Sequence, residues 1–448
     1  MNSLENTSFE SSQATLYTKD IKRVCRTRSK ESISDIPEQN PWLIVVGTFL
    51  VLVVGLGSLQ SWGIMQNYFE QYPGFQGTPN LSLQLSFVAT ICNIIINLLG
   101  LVGQVLLSLF ETRTVLFVSI VICSVGLLLA SFSTQIWHLY LTQGVVYGIG
   151  SSIMFYIALS VVPQWFTKHK GMALGIISSG ISIGGLIMPL IIEPLNTHLG
   201  AAWCYRIMSL ICLVIGIISC LFFKTTKNST EDNGEKQSQK EAIIQIKDLF
   251  DLSVAKNWRF LLWVFIDILM ESAYNVPYYF LPSYATFLGL STSQGALVLS
   301  VGSGMNAIGR IASGLIADVF GHVNVIIIYS IISGLTSLFL WTYATTFNTL
   351  MAFSVLFGFF GGAFITLTPT ITLLVTGYEK FETGLSVFLI LTVISMFGPN
   401  LAGVIEVSAH ALKEFDSYKY FTGACYLTGA ILLIVFKLSL NRNFFAKI

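Results

Sequence analysis

Twelve long apolar runs, each cut from the next by a polar break, leave this chain few ways to fold. They lie at residues 42–69, 83–109, 114–133, 137–164, 171–194 and 205–223, and again at 259–285, 293–317, 323–343, 348–376, 383–408 and 418–438. A helix crosses the hydrocarbon of a bilayer in about 20 apolar residues and satisfies its own backbone on the way. The runs therefore predict an all-α membrane protein with twelve transmembrane helices in two pseudo-symmetric six-helix bundles. Composition excludes a soluble alternative, since only 10% of the 448 residues are charged, against about 25% in soluble domains.

The longest break divides the runs six and six. The expected organisation is a Ser-, Thr- and charge-rich tail over 1–41, a first bundle over 42–223, a linker over 224–258, a second bundle over 259–438 and a short C-terminus over 439–448. Lys and Arg give the orientation. With both termini cytosolic, 20 of the 24 Lys and Arg fall in the tail, inner loops, linker and C-terminus, and only Lys413 and Lys419 fall outside. Positive charge is retained on the cytoplasmic side. The asymmetry also supports twelve crossings, because removing one inverts every later loop. The plasma membrane is the expected address, and a vacuolar membrane reads the same. Asn80-Leu-Ser is a glycosylation triplet in the first outer loop, and its use stays open.

The two sets of runs repeat. Gly103 and Gly314, Gly148 and Gly358, and Gly171 and Gly384 correspond at offsets of 211, 210 and 213 residues. A near-constant offset across three landmarks argues for duplicated halves. Parallel repeats of this kind are typical of secondary carriers that rock about a midplane site. No metal-ligand cluster and no phosphate-binding loop appear in the sequence, which argues against a pump or metalloenzyme. Gly180 to Gly184 match Gly-x-Ser-x-Gly, but inside an apolar run, without the strand-to-helix turn that exposes a nucleophile. The expectation is a monomeric carrier rather than an enzyme, with the lipid bilayer and a small solute as partners and no cofactor or nucleic acid.

Arg310 needs a separate explanation. In "MNAIGRIASGLIAD" it stands near the middle of its run, about 12 Å from Asp318 by helical rise. Charges this deep are rare, face the bundle interior and mark pathways. On the antiparallel neighbouring run, Asp267 lies at about the same depth and Glu271 one turn further out. Two carboxylates one turn apart in low dielectric do not both ionise without a cation between them. Arg310 reads as an anion clamp, because its planar fork offers a carboxylate two parallel hydrogen bonds. Asp267 or Glu271 is expected to hold it when no solute is bound. Asn306, Tyr274, Tyr278 and Gln66 complete the candidate solute contacts.

"GLIADVFG", with Gly314, Asp318 and Gly321, resembles the loop motif of the major facilitator superfamily. That resemblance implies a conformational gate, in which the Asp at a helix end meets a neighbouring helix N-terminus. The first-half copy keeps Gly103 but has Leu107 where the acid is expected. Within the superfamily, "PQWFTKHKGMALGIISSGISIGGLIMP", "VPYYFLPSYA" and "NAIGRIASGLIAD" resemble the monocarboxylate porters, especially their fungal branch. The resemblance implies alternating-access transport of a small organic anion such as lactate or pyruvate, often with a proton; fungal relatives include a riboflavin carrier. It also implies an Asp one turn before the Arg, where this chain has Asn306, and a Lys in the first span, where Gly63 stands. If a proton is coupled, the Asp267 and Glu271 pair is the next candidate. Three readings stay open: an organic-anion carrier, a carrier of another solute such as riboflavin by facilitated diffusion, and a transporter-like nutrient sensor.

Overall fold

The computed structural model describes residues 41–75, 77–165, 170–223, 252–377, 380–408 and 413–440. The expected tail, most of the linker and nearly all of the C-terminus lie outside the described residues. Among the described residues every regular element is helical and there is no strand. Ten helices in them are long and apolar enough to cross a membrane.

Two features reconcile ten with twelve. The run Lys170–Leu221 is two crossings, interrupted by Gly200 at φ 79 and ψ 165. The expected break there, between 194 and 205, is compressed to that turn, because glycine alone takes such a φ without steric cost. The helix Thr292–Phe320, at 29 residues, is also long enough to cross at about 1.5 Å per residue. Asn306, Arg310 and its many Gly and Ser dilute its apolar content.

The crossings are numbered in chain order. Span 1 is Pro41–Val54, Leu56–Gln60 and Trp62–Gln71; span 2 is Leu81–Leu109; span 3 is Thr112–Ala130; span 4 is Ile136–Leu139, Tyr140–Val146 and Tyr147–Trp165. Spans 5 and 6 flank Gly200. Span 7 is Trp258–Phe287, span 8 is Thr292–Phe320 and span 9 is His322–Leu335 with Thr336–Trp341. Span 10 is Phe347–Gly361 with Ala363–Thr376; span 11 is Phe381–Thr392, Val393–Phe397 and Gly398–Ser408; span 12 is Asp416–Leu440.

From Ile44 onward the described residues pack as one compact unit. Span 4 packs on spans 2 and 3, and span 3 on the span 5–6 run; span 12 packs on spans 7 and 9, and span 8 on span 10. The two sets meet where span 8 lies along the span 5–6 run, span 1 along span 7 and span 2 along span 11. Ser219 donates to the Gly47 carbonyl and Arg259 to that of Ser439. Thr286 near the end of span 7 donates to Asn67 near the end of span 1, so the start of span 1, the ends of spans 6 and 12 and the start of span 7 share one face, here the terminal face. The opposite face is the distal face.

Span 8 is held at both ends. Ser291 Oγ accepts from the Gln294 N–H at 3.2 Å, and Gln294 Oε1 from the Ser291 N–H at 3.0 Å, a reciprocal cap that satisfies two otherwise orphaned donors. Gly321, at φ 95, ends the helix.

Two cations at the distal ends of their spans are held by aromatic rings. Lys419, assigned to the outer side, is 3% exposed, paired with Asp416 at 2.9 Å and 4.5 Å from the Tyr284 ring. Arg206 lies 4.9 Å over Trp203 and 5.4 Å over Phe132. Aromatic faces attract such cations, so each is held by rings on its own or a neighbouring helix.

Candidate solute-binding site

Arg310 is 4% exposed. Its Nε donates to Asn306 Oδ1 at 2.8 Å and its Nη2 to the Tyr274 hydroxyl at 3.2 Å. The first bond follows from the helical period, which stacks residues four apart on one face. Tyr274 comes from span 7, and its hydroxyl donates onward to Asn306 Oδ1 at 3.2 Å. Ser182, in span 5, donates to the same oxygen at 2.9 Å. Asn306 Nδ2 donates to the Gly358 carbonyl in span 10 at 3.0 Å. Three donors thus converge on one amide oxygen, which has two lone pairs. They come from both sets of six spans.

The resting partner expected for Arg310 is corrected by this geometry. Asn306 and Tyr274 hold the guanidinium, and among the described residues no carboxylate oxygen lies within 4.0 Å of it. Among the described residues the ion pairs are His322–Asp318 and Lys419–Asp416. Asp267, 2% exposed, is turned toward Thr368, whose hydroxyl donates to it at 3.4 Å. Glu271 adjoins Asp267 and Ser395 and stays within electrostatic reach of Arg310. The depth match between Asp267 and Arg310 holds along the helices, but the side chains face different neighbours.

The remaining sequence candidates divide. Tyr278 packs against Tyr274 with ring centroids 5.1 Å apart. Its buried hydroxyl has no hydrogen-bond partner among the described residues, and it lines an apolar recess with Leu281, Leu299, Phe353 and Phe357. Gln66 lies apart from this cluster, bonded to Glu70 at 3.1 Å and Ser82 at 3.2 Å near the distal face. Asp318 is exposed and stands 3.8 Å from His322, the first residue of the next helix. Gly321 makes the turn between them, and a side chain at Gly314 meets nothing within 4 Å.

Sequence reasoning missed Ser182, which nothing in a Gly- and Ser-rich run distinguishes from packing. It also missed the polar seam that joins the two sets distal to Arg310. There Thr90 donates to Asn400 at 2.6 Å and Asn400 to Ser86 at 2.7 Å. Asn93 donates to the Tyr279 hydroxyl at 2.8 Å, Thr286 to Asn67 at 3.1 Å, and Thr292 and Ser293 to Glu193 at 2.8 and 2.9 Å.

A helical bundle of membrane-crossing length, sealed by polar contacts at one face and holding a guanidinium between its halves, defines a polytopic membrane carrier. The family description "Major Facilitator Superfamily" matches residues 42–403, and the chain belongs to that family. It is similar to the MFS transporter asaE of Aspergillus flavus, at 27% identity over 93% of this chain and 92% of that one. It is also similar to the Agnestins efflux protein AgnL12 of Paecilomyces divaricatus, at 25% identity over 90% of this chain and 89% of that one. A solved POT family transporter, in complex with a thioalcohol-conjugated peptide, shares the fold with a TM-score of 0.67 and 13% identity, covering 89% of this chain and 96% of its own. The chain is a multi-pass membrane transporter, not an enzyme.

Proposed function

We propose that this transporter carries a small organic anion, a monocarboxylate or a related acid, by alternating access, with Arg310 as its anion clamp. The convergence of Ser182, Tyr274 and Arg310 on the Asn306 amide oxygen carries the reading. Three donors aimed at one neutral oxygen are better matched by an anionic one, because hydrogen bonds to a charged acceptor are about twice as strong. A solute carboxylate displacing Asn306 Oδ1 gains the guanidinium fork and both hydroxyls. Arg310 Nη1, which makes no hydrogen bond among the described residues, is the free arm of that fork. A buried charge without an ionised partner is costly, so the empty site favours an incoming anion.

The donors also couple binding to motion. Ser182 belongs to the bundle 42–223, and Tyr274 and Arg310 to the bundle 259–438. An anion gripped by both favours the state in which the bundles close on it, and the two then rock about this level. Asp318, Gly314 and Gly321 act as the gate of the second bundle on the terminal face, taken here as cytosolic. The Asp267 and Glu271 pair is the midplane candidate for a coupled proton, and the plasma membrane is the proposed location. The naming of AgnL12 as an efflux protein supports export as the physiological direction.

Flux into proteoliposomes made without ATP tests the reading. Lactate, pyruvate, succinate and riboflavin, supplied at two pH values, separate anions from a neutral solute. Saturable flux of an organic anion is expected. Flux of riboflavin alone overturns the clamp.

A further inference from the structure

The recess beside Tyr278 lies one turn distal to the clamp, on the same three helices. On span 8, Arg310, Asn306, Gly302 and Leu299 follow one another at intervals of four, four and three residues, which puts them in one row on the helix surface. On span 7, Tyr274, Tyr278 and Leu281 form a matching row. On span 10, Gly358 accepts from Asn306 Nδ2 at 3.0 Å and also borders the recess. Clamp and recess therefore share a wall. Two glycines make the floor. A Cβ on Gly302 would overlap Ser354 Oγ, and one on Gly358 would overlap the Gly302 carbonyl oxygen, so spans 8 and 10 touch there.

Beyond that shared wall the recess is mostly carbon. Leu281, Leu299, Phe353 and Phe357 enclose it, and every residue lining it is buried, which sets it inside the bundle rather than on a lipid face. Its free volume is about 10 Å³, room for one methyl-sized or water-sized group. A buried water needs about two to four polar partners. The polar side chains here are Tyr278 and Ser354, and Ser354 already donates to the Val298 carbonyl. An apolar group suits the space better. Tyr278 joins recess to clamp. Its ring packs on Tyr274 at 5.1 Å, and its hydroxyl has no hydrogen-bond partner among the described residues although the residue is 4% exposed. A buried donor left unmade is costly.

We propose that the recess is the tail subsite of the transported acid, with Leu299 and Phe357 setting the length of the chain and Tyr278 donating to the carboxylate at its head. The inference rests on Arg310 as the anion clamp. With the carboxylate on Arg310, the hydrocarbon chain runs distally along span 8. Four residues separate Asn306 from Gly302, a rise of about 6 Å. A straight chain of about four to six carbons covers that span, at about 1.5 Å per C–C bond. Its last carbon fills the free volume, and each methylene so buried raises affinity about fourfold. A shorter acid leaves the space empty. A chain with a quaternary carbon next to the carboxylate is too wide for a space of one methyl group.

The test is binding of acetate, butyrate, pentanoate, octanoate and pivalate to the full chain in lipid nanodiscs at neutral pH. In the wild-type chain, affinity is expected to climb about fourfold per methylene from acetate to pentanoate and to stop climbing before octanoate. Pivalate, the branched isomer of pentanoate, is expected to bind about tenfold more weakly. Leu299→Ala and Phe357→Leu each enlarge the recess and are expected to move the best chain length upward. Leu299→Phe fills it and is expected to level pentanoate with acetate. Tyr278→Phe keeps the ring without the hydroxyl, so every straight-chain acid should weaken alike, by about tenfold or more. A flat wild-type profile overturns the proposal, as does pivalate binding as tightly as pentanoate. A profile unchanged in both the filled and the enlarged chains overturns it too, and marks the recess as a packing void. Arg310→Gln separates the two readings. Acids that bind equally without the guanidinium reject the clamp, whereas acids that need it but show no length preference reject the recess alone. If no acid binds, the clamp fails and the recess with it.

Discussion

Replacing Asn306 with Asp tests the clamp through its neutral partner. The side chain keeps its shape, and the oxygen 2.8 Å from Arg310 Nε becomes part of a carboxylate. Opposite unit charges about 4 Å apart attract by about 4 kcal/mol at an effective dielectric of about 20. The same change removes the Nδ2 donor from the Gly358 carbonyl, and an unsatisfied buried acceptor costs about 1–3 kcal/mol. The difference, about 1–3 kcal/mol, is held against any anion competing for Arg310, which lowers its affinity by about 5- to 150-fold. Protonating the new acid cancels its charge and returns a donor toward Gly358. Acid conditions are therefore expected to restore what neutral conditions remove. The assay is initial-rate flux in proteoliposomes across a pH series, using the anion found in the solute panel. Flux from Asn306→Asp equal to wild type at neutral pH refutes the reasoning, and so does a loss that acid does not relieve.

Two substitutions address the seam. A Cβ on Gly63 overlaps the carbonyl oxygens of Tyr278 and Tyr279, so Gly63→Ala pushes span 1 off span 7. Overpacking of this kind costs about 1–3 kcal/mol, and faster thiol labelling of a Thr286→Cys reporter is the expected sign of distal opening; an unchanged rate contradicts it. Asn400→Leu deletes the bonds to Thr90 and Ser86, each worth about 0.6–2 kcal/mol within a membrane. Spin labels at Gln135→Cys and Tyr343→Cys, exposed positions in distal loops of the two halves, should then report at least about tenfold more of the open state, and no change would show that these bonds do not hold the seam.

The architecture was legible because lipid leaves so few solutions. Apolar run lengths placed the crossings, and the depth of Arg310 followed from counting residues to Asp318. The boundary between spans 5 and 6 was drawn too wide because one glycine, Gly200, does the work of a loop. What the sequence hid is azimuth. Helical rise set Asp267 level with Arg310, but only the packed helices show Asp267 turned to Thr368 and Arg310 turned to Asn306 and Tyr274. Ser182 reaches Asn306 across 124 residues of sequence, and no local period encodes that contact. Gln66 is a similar case. It is a polar group at the end of span 1, and only its bond to Ser82 of span 2 sets it in the distal seam rather than in the wall of the central site. Lys419 was assigned from its place near a loop, and its burial depends on the Tyr284 ring supplied by span 7.

Equilibrium binding of the transported anion to purified wild-type, Arg310→Gln and Arg310→Lys chains measures the clamp itself. Losing two charge-assisted bonds, at about 1.5–3 kcal/mol each, predicts a fall in affinity of at least about 100-fold for Gln. The Lys chain keeps the charge but not the fork and is expected to fall in between, with thermal unfolding of all three alike. Binding by Arg310→Gln within about threefold of wild type, a difference under about 0.7 kcal/mol, would contradict a guanidinium-held anion.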